Sequence, residues 1–154
     1  EVDVVPGNEV LPKGSEPKEG ESVERRLGLP PDSRIEHMRL LRIGNEPTIE
    51  LFGIAGSDPK KPAALGDYGW QHISFYTDDI QAAARRFSDA GGILLSEPHP
   101  LAGVEDGPDN AGVYGRTPWG GLIEFITYPD GIQYPKPDIT RWTPALRTTN
   151  EDGR

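Results

Sequence analysis

The sequence predicts an α+β fold of short strands and two helices, arranged as two related halves. Glycine and proline make up 35 of the 154 residues, a share that suits a loop-rich fold with short strands. Hydrophobic patterning predicts the order β-α-β-β-β in the second half, and a strand, a short helix and two strands in the first. Residues 48–52 and 122–126 both place a Glu between apolar residues, 74 positions apart. A repeat of that length indicates duplicated modules.

The first half is predicted to contain three strands and one short helix. The strands cover residues 1–5, 35–43 and 48–54, and the helix covers residues 23–27. Ser22 is a suitable N-cap for this helix, and Gly28 is a suitable C-terminal stop. The turn-forming residues 44–47 join the last two strands, which predicts an antiparallel hairpin.

The second half is predicted to carry an amphipathic helix that follows its first strand. The strands cover residues 70–77, 93–96, 112–117 and 122–128, the helix covers residues 80–90, and residues 97–111 form a long loop. Asp78 and Asp79 cap the helix, and Gly91 ends it. The predicted organisation is a partial first module over residues 1–54, a linker over 55–68, a second module over 69–129 and an extended tail over 130–154.

Composition excludes several classes of function. The chain has 16 Lys and Arg against 25 Asp and Glu, a net charge of −9, which disfavours nucleic acid or an anionic membrane as partner. No apolar run approaches the length of about 18 residues that a membrane span requires. The chain has no cysteine, which removes disulfides, thiolate metal ligands and a Cys nucleophile. The net charge does not exclude a small anionic substrate, because such a ligand responds only to the local field.

Three residues of metal-ligand type lie within predicted strands. Glu50 and Glu124 each lie between apolar neighbours, so each carboxylate faces either solvent or a cavity. His72 lies in an aromatic-rich strand, where it is either a structural histidine or a ligand. A His and two Glu on three strands match the donor set of a divalent metal such as Zn, Fe, Mn, Ni or Co.

Three segments of the chain match a family pattern: GWQHISFYTDDI at residues 69–80, PWGGLIEF at 118–125 and IELF at 49–52. They resemble the vicinal oxygen chelate superfamily, which comprises glyoxalases, bleomycin-resistance proteins and extradiol dioxygenases. The similarity covers about residues 34–130. It implies paired βαβββ modules whose sheets curve around one cavity.

The resemblance also implies a ligand set, because metal ligands in that superfamily come from the first and last strands of each module. His72 and Glu124 would be the pair of the second module, and Glu50 the last-strand ligand of the first. The 52-residue spacing of the second pair, counted back from Glu50, falls before the first residue. We therefore expect the first module to lack its opening β-α unit. A preceding segment, a segment swapped from a second chain, or His37 or His99 would supply the fourth ligand.

Five further residues are candidates for substrate binding: Ser74, Tyr76, Tyr114, Arg116 and His37. The first two follow His72 on one strand face, and the next two share a face of the penultimate strand. An inward Arg116 would bind a substrate carboxylate bidentately, whereas an outward one would be solvated. His37, expected to share a face with Ile35, either lines the cavity or is structural. His99 lies in a loop that is either exposed or acts as a lid.

Three functional hypotheses follow from the resemblance. The first is a metal-dependent lyase or isomerase, in which a divalent metal chelates two substrate oxygens and Glu124 or Glu50 moves a proton. The second is an Fe(II)-dependent ring-cleaving dioxygenase with the same ligand types. The third is a non-catalytic protein that binds a drug or metabolite. We expect a cytoplasmic homodimer that acts on a small oxygenated substrate.

Overall fold

The computed structural model describes residues 2–3, 9–43 and 48–135. The chain divides into a first unit, Glu1–Lys60, and a second unit, Lys61–Arg154. The elements are β1 (Val2–Asp3), β2 (Glu9–Leu11), β3 (Lys18–Glu19), α1 (Glu21–Leu27), β4 (Arg34–Ile43), β5 (Thr48–Ala55), β6 (His72–Tyr76), α2 (Ile80–Asp89), β7 (Ile93–Leu94), β8 (His99–Pro100), β9 (Ala111–Arg116) and β10 (Leu122–Thr127). Within these described ranges, no helix is long and apolar enough to cross a membrane.

The first unit is an antiparallel sheet in which the long strand β4 is the common partner of the shorter strands. This strand pairs with each of β1, β2, β3 and β5, which confirms the predicted hairpin of β4 and β5. Helix α1 begins at Glu21 with Gly20 at its N-cap and ends at Gly28 in the left-handed conformation. The predicted N-cap at Ser22 is therefore wrong, because Ser22 lies inside the first helical turn.

A bulge between Ile35 and His37 interrupts the pairing of β4 with β5. Ile35 pairs with Ile54, whereas His37 pairs with Gly53. Because paired residues share a face and neighbouring residues on β5 point to opposite faces, the bulge reverses the side-chain alternation along β4. The prediction that His37 shares a face with Ile35 is therefore wrong.

The second unit is a sheet with the strand order β6-β10-β9-β7, and β8 also pairs with β9. Strand β10, the last of this unit in the sequence, thus lies between β6, the first, and β9. It runs parallel to β6 and antiparallel to β9. This order brings the predicted strands of His72, Glu124 and Tyr114 side by side.

Helix α2 covers one face of the second sheet. The Asp79 side chain accepts a hydrogen bond from Ala82 N at 2.8 Å, as expected for an N-cap. Ile80 and Ala84 pack with Val113 to form the core of this unit, and their partly buried neighbours are Leu94, Ala111 and Phe125. The side chains that alternate with Val113 along β9 and with Phe125 along β10 therefore lie on the face opposite α2.

The segment predicted as a long loop contains β8 and a short 3₁₀ helix, Gly103–Glu105. Asn110, only 2% exposed, anchors this segment. Its Nδ2 donates to the carbonyls of Glu105 and Gly131 at 2.9 Å each, and its Oδ1 accepts from Asp130 N at 3.0 Å. One amide thus joins the start of β9 to the 3₁₀ helix and to the segment after β10.

Three predictions fall partly or wholly outside the described residues. The turn predicted at residues 44–47 lies outside them. The predicted first strand is observed at Val2–Asp3, and residues 1 and 4–5 lie outside the described ranges. The predicted tail is described only to residue 135. Gln133 N there donates to Val104 O at 2.7 Å, so this end of the described chain is attached to the segment that contains the 3₁₀ helix.

Candidate functional site

The register of the second sheet gathers the predicted site residues of this unit on one surface. Glu124 pairs with Tyr114 on β9 and with Ser74 on β6, and Leu122 pairs with Arg116 and His72. Because paired residues share a face, these side chains lie opposite α2. We call this surface the site face; its predicted site residues are His72, Ser74, Tyr76, Tyr114, Arg116 and Glu124.

His72 and Glu124 form a close pair on the site face. The Nε2 atom of His72 lies 3.5 Å from Oε2 of Glu124, and the side chains are 28% and 14% exposed. They are diagonal neighbours on two parallel strands, since His72 is two residues before the partner of Glu124. The sequence prediction that these residues act together therefore has a direct geometric counterpart.

Tyr114 completes a group of three side chains. Its hydroxyl donates a hydrogen bond to the Glu124 carboxylate, and its ring meets the His72 ring edge-on, with centroids 5.4 Å apart at 71°. Burial, followed by the charge of Glu124, raises the pKa of Tyr114 above its ordinary value of 10.0. The phenol therefore stays protonated and remains a donor to Glu124 at neutral pH.

Arg116 and Ser74 lie on the same face but have different surroundings. The Nη1 atom of Arg116 donates to Gly120 O at 2.9 Å, so one of its donors is used by the turn between β9 and β10. Ser74 is exposed and pairs with Glu124. Their roles in substrate binding stay predictions.

Tyr76 lies at the far end of β6, in a second cluster of phenols. Its ring meets that of Tyr128 edge-on, with centroids 4.9 Å apart, and its hydroxyl hydrogen-bonds with Asp78 and Thr127. Burial, followed by the charge of Asp78, raises its pKa. The Tyr76 hydroxyl therefore already has two protein partners. Its substrate-binding role stays a prediction.

Three residues beside the pair were not singled out in the sequence. A Cβ atom added to Gly112 would lie 2.9 Å from Leu101 Cδ2 and 3.8 Å from Glu124 Oε1. Gly112 therefore lies beside Glu124 Oε1, and Leu101 fills the space that a side chain at this position would take. Glu105 also faces this group, because its charge contributes to the raised pKa of Tyr114. Gly112 is recognised as a neighbour of Glu124 only from the strand register, which the local sequence pattern does not reveal.

The first unit carries the remaining predicted residues. Glu50 is exposed on β5 and pairs with Leu40. His37 is half-buried, and its ring covers Gly53, where an added Cβ would overlap the imidazole. This contact gives His37 a structural role. The exposed His99 pairs with Gly112, and its Nδ1 lies 3.2 Å from Pro100 O. The predicted ligand role of Glu50 and the substrate role of His37 stay predictions.

The divalent metal that the resemblance implies can be tested against the donors of the site face. Two donors bound about 2.1 Å from one tetrahedral ion lie about 3.4 Å apart, close to the 3.5 Å between His72 Nε2 and Glu124 Oε2. The pair therefore fits two positions of such a site. Among the residues that the structure describes, no group of three or more His, Asp or Glu is arranged to hold a metal ion.

Comparisons with known proteins agree with this fold. No protein-family model matches the chain. A 2-epi-5-epi-valiolone epimerase from Actinomyces sp is 31% identical over 99 residues, which are 62% of this chain and 52% of that protein. A crystal structure of a glyoxalase family protein from Bacillus cereus aligns with a TM-score of 0.57 and 20% identity, over 72% of each chain.

The structural match shows that the chain has the glyoxalase fold. Together with the epimerase match, it confirms the resemblance to the vicinal oxygen chelate superfamily that the sequence indicated. The chain spans about half the length of its epimerase relative. The activity of that relative therefore enters only as a proposal for this chain.

Proposed function

We propose that the chain belongs to an isomerase that inverts a stereocentre beside the carbonyl of a small oxygenated ketone. The reaction type is suggested by the epimerase relative. The residues are suggested by the site face, where an imidazole, a carboxylate and a phenol meet on adjacent strands. These are groups that bind a metal and move protons in enzymes.

His72 and Glu124 are the residues that would hold a divalent metal. When bound, such a metal supplies a Lewis acid that stabilises negative charge on a substrate oxygen. Glu124 Oε2 faces His72, whereas Oε1 lies 3.8 Å from the position that a Cβ of Gly112 would take. We assign to Oε1 the removal of the proton next to the carbonyl.

Inversion also requires that a proton return to the opposite side of the same carbon. The bond broken is the C–H bond beside the carbonyl, and its electron pair moves onto the carbonyl oxygen as the proton reaches Glu124. The reverse movement with a proton from a second donor gives the other epimer. The catalytic role predicted for Glu50 from the sequence stays a prediction.

The observation that carries the proposal is the 3.5 Å approach of His72 Nε2 to Glu124 Oε2. Its test is proton NMR of 2-epi-5-epi-valiolone incubated with the protein in D₂O, with Zn²⁺ or Mn²⁺ added. We expect signals of a second epimer and exchange of the proton beside the carbonyl for deuterium. Glu124→Gln should slow both by about 100-fold or more, whereas Glu97→Gln, at an exposed position in the β7–β8 connection, should change neither.

Other outcomes of this experiment contradict the proposal. Absence of both epimerisation and deuterium exchange at saturating metal rules out an isomerase acting on this ketone. In a separate assay with Fe(II) and catechols, oxygen consumption would favour the dioxygenase hypothesis. Tight binding of the ketone without turnover or exchange would favour a binding protein.

A further inference from the structure

Tyr114 lies directly beside Glu124 on the site face. The two residues are direct partners across β9 and β10, and the Tyr114 hydroxyl donates its one hydrogen to the Glu124 carboxylate. A phenol has a single O–H donor, so a substrate carboxylate cannot receive that hydrogen while the bond to Glu124 is made.

The ring of Tyr114 is also fixed on its other side. It meets His72 edge-on at 5.4 Å, and His72 Nε2 in turn approaches Glu124 Oε2. Each of the three side chains thus contacts the other two. Tyr114 is half-buried, which limits the rotamers available to its ring. The hydroxyl is therefore held beside the carboxylate by packing as well as by the hydrogen bond.

We propose that Tyr114 is a positioning residue that orients the Glu124 carboxylate toward the metal expected beside His72. This inference rests on the proposed function, because it assumes that Glu124 is a ligand. A hydrogen bond to one oxygen of the carboxylate restricts its rotation, so the carboxylate loses less conformational entropy when it binds the metal. Partners that hydrogen-bond metal ligands typically change metal affinity by about 10- to 100-fold when removed.

The test compares two variants that each remove one phenol oxygen from the full chain. Tyr114→Phe removes the bond to Glu124, and Tyr128→Phe is the matched control, since Tyr128 is also half-buried but packs against Tyr76. Isothermal titration with Zn²⁺ alone should show about tenfold weaker binding for Tyr114→Phe, at unchanged stoichiometry. Tyr128→Phe should bind Zn²⁺ like the unmodified chain, and thermal unfolding verifies that both variants are folded.

Kinetics add a readout that a purely structural role would not change. With saturating Zn²⁺ and the ketone substrate, Tyr114→Phe should lower kcat and leave KM unchanged, because the substrate does not contact the hydroxyl. Unchanged Zn²⁺ affinity in Tyr114→Phe, while Glu124→Gln loses affinity, overturns the positioning role and leaves the proposed function intact. Unchanged affinity in Glu124→Gln contradicts the proposed function and the role of Tyr114 together.

Discussion

His37 and Glu50 lie on opposite faces of the hairpin formed by β4 and β5. His37 pairs with Gly53, which lies three positions from Glu50 on β5. Because side chains alternate between the two faces of a strand, positions 50 and 53 point to opposite faces. The register from His37 to Leu40 is continuous, so this relationship follows from the three-residue separation and not from the bulge beside Ile35. One surface of this hairpin therefore cannot carry both side chains.

The position of His37 predicts a structural effect without a metal effect. His37→Ala exposes Gly53, and we expect a loss of about 1 kcal/mol in the free energy of unfolding, near the upper end for a cross-strand pair. Urea unfolding measures this loss, and Zn²⁺ affinity should stay unchanged. The control is His99→Ala at an exposed position, which should alter neither quantity. A loss of Zn²⁺ affinity in His37→Ala at full stability would identify His37 as a ligand instead.

Replacement of Asn110 should lower the free energy of unfolding substantially. Asn110→Ala leaves the Glu105 and Gly131 carbonyls and Asp130 N without their partner. At about 1 kcal/mol for each lost bond, we expect a destabilisation of about 3 kcal/mol in urea unfolding. Asp109→Ala, at the exposed neighbouring position, should cost less than about 0.5 kcal/mol. Equal stability of the two variants would show that the buried amide does not anchor this segment.

Gly115 is required by the close approach of Phe87. A Cβ atom at Gly115 would overlap the Phe87 ring, which packs edge-on against Phe125 with centroids 5.3 Å apart. Gly115→Ala should therefore destabilise the chain by about 2 kcal/mol through overpacking. Gly66→Ala is the control, since a Cβ there meets nothing within 4 Å. The double variant Gly115→Ala with Phe87→Leu should recover part of the loss, and strict additivity would contradict this explanation.

The half-buried phenols predict a loss of stability in alkaline solution. Burial is the main cause that raises the pKa of Tyr76, Tyr114 and Tyr128 above the ordinary 10.0. The unfolded chain therefore loses these protons at lower pH than the folded chain. The stabilisation is complete below about pH 10 and disappears as the pH rises through the folded-state values.

The measurement is the urea midpoint followed from about pH 9 to about pH 11, where the midpoint should fall. Tyr128→Phe removes one of the three contributions, so the midpoint of this variant should fall less steeply. An identical decrease in both proteins would show that Tyr128 does not contribute to the alkaline transition.

The second module could be predicted from the sequence because its signals are local. The Asp79 cap and the apolar spacing of α2 lie within a dozen residues of one another, and the structure confirms both. The strand containing Glu124 has the same advantage, since its six residues form a short, mostly apolar run that follows a turn segment. Local hydrogen-bonding and burial rules are sufficient for such elements.

Other features depend on contacts between distant segments. The Asn110 amide binds groups 20 and 21 residues away, and the contact of Tyr114 with Glu124 depends on strand order. The bulge beside Ile35 has no distinctive residue such as Gly to mark it. In the first unit, short strands supply weak local signals, so the boundaries and faces were predicted less well there.

His72 and Glu124 are proposed to hold a divalent metal together. Anomalous diffraction from crystals of the full chain grown with Zn²⁺ tests this pairing at the atoms concerned. We predict an anomalous peak within about 2.3 Å of both His72 Nε2 and a carboxylate oxygen of Glu124, and the remaining ligands in that map would test Glu50. An anomalous map at saturating Zn²⁺ with no peak between His72 and Glu124 would contradict the account.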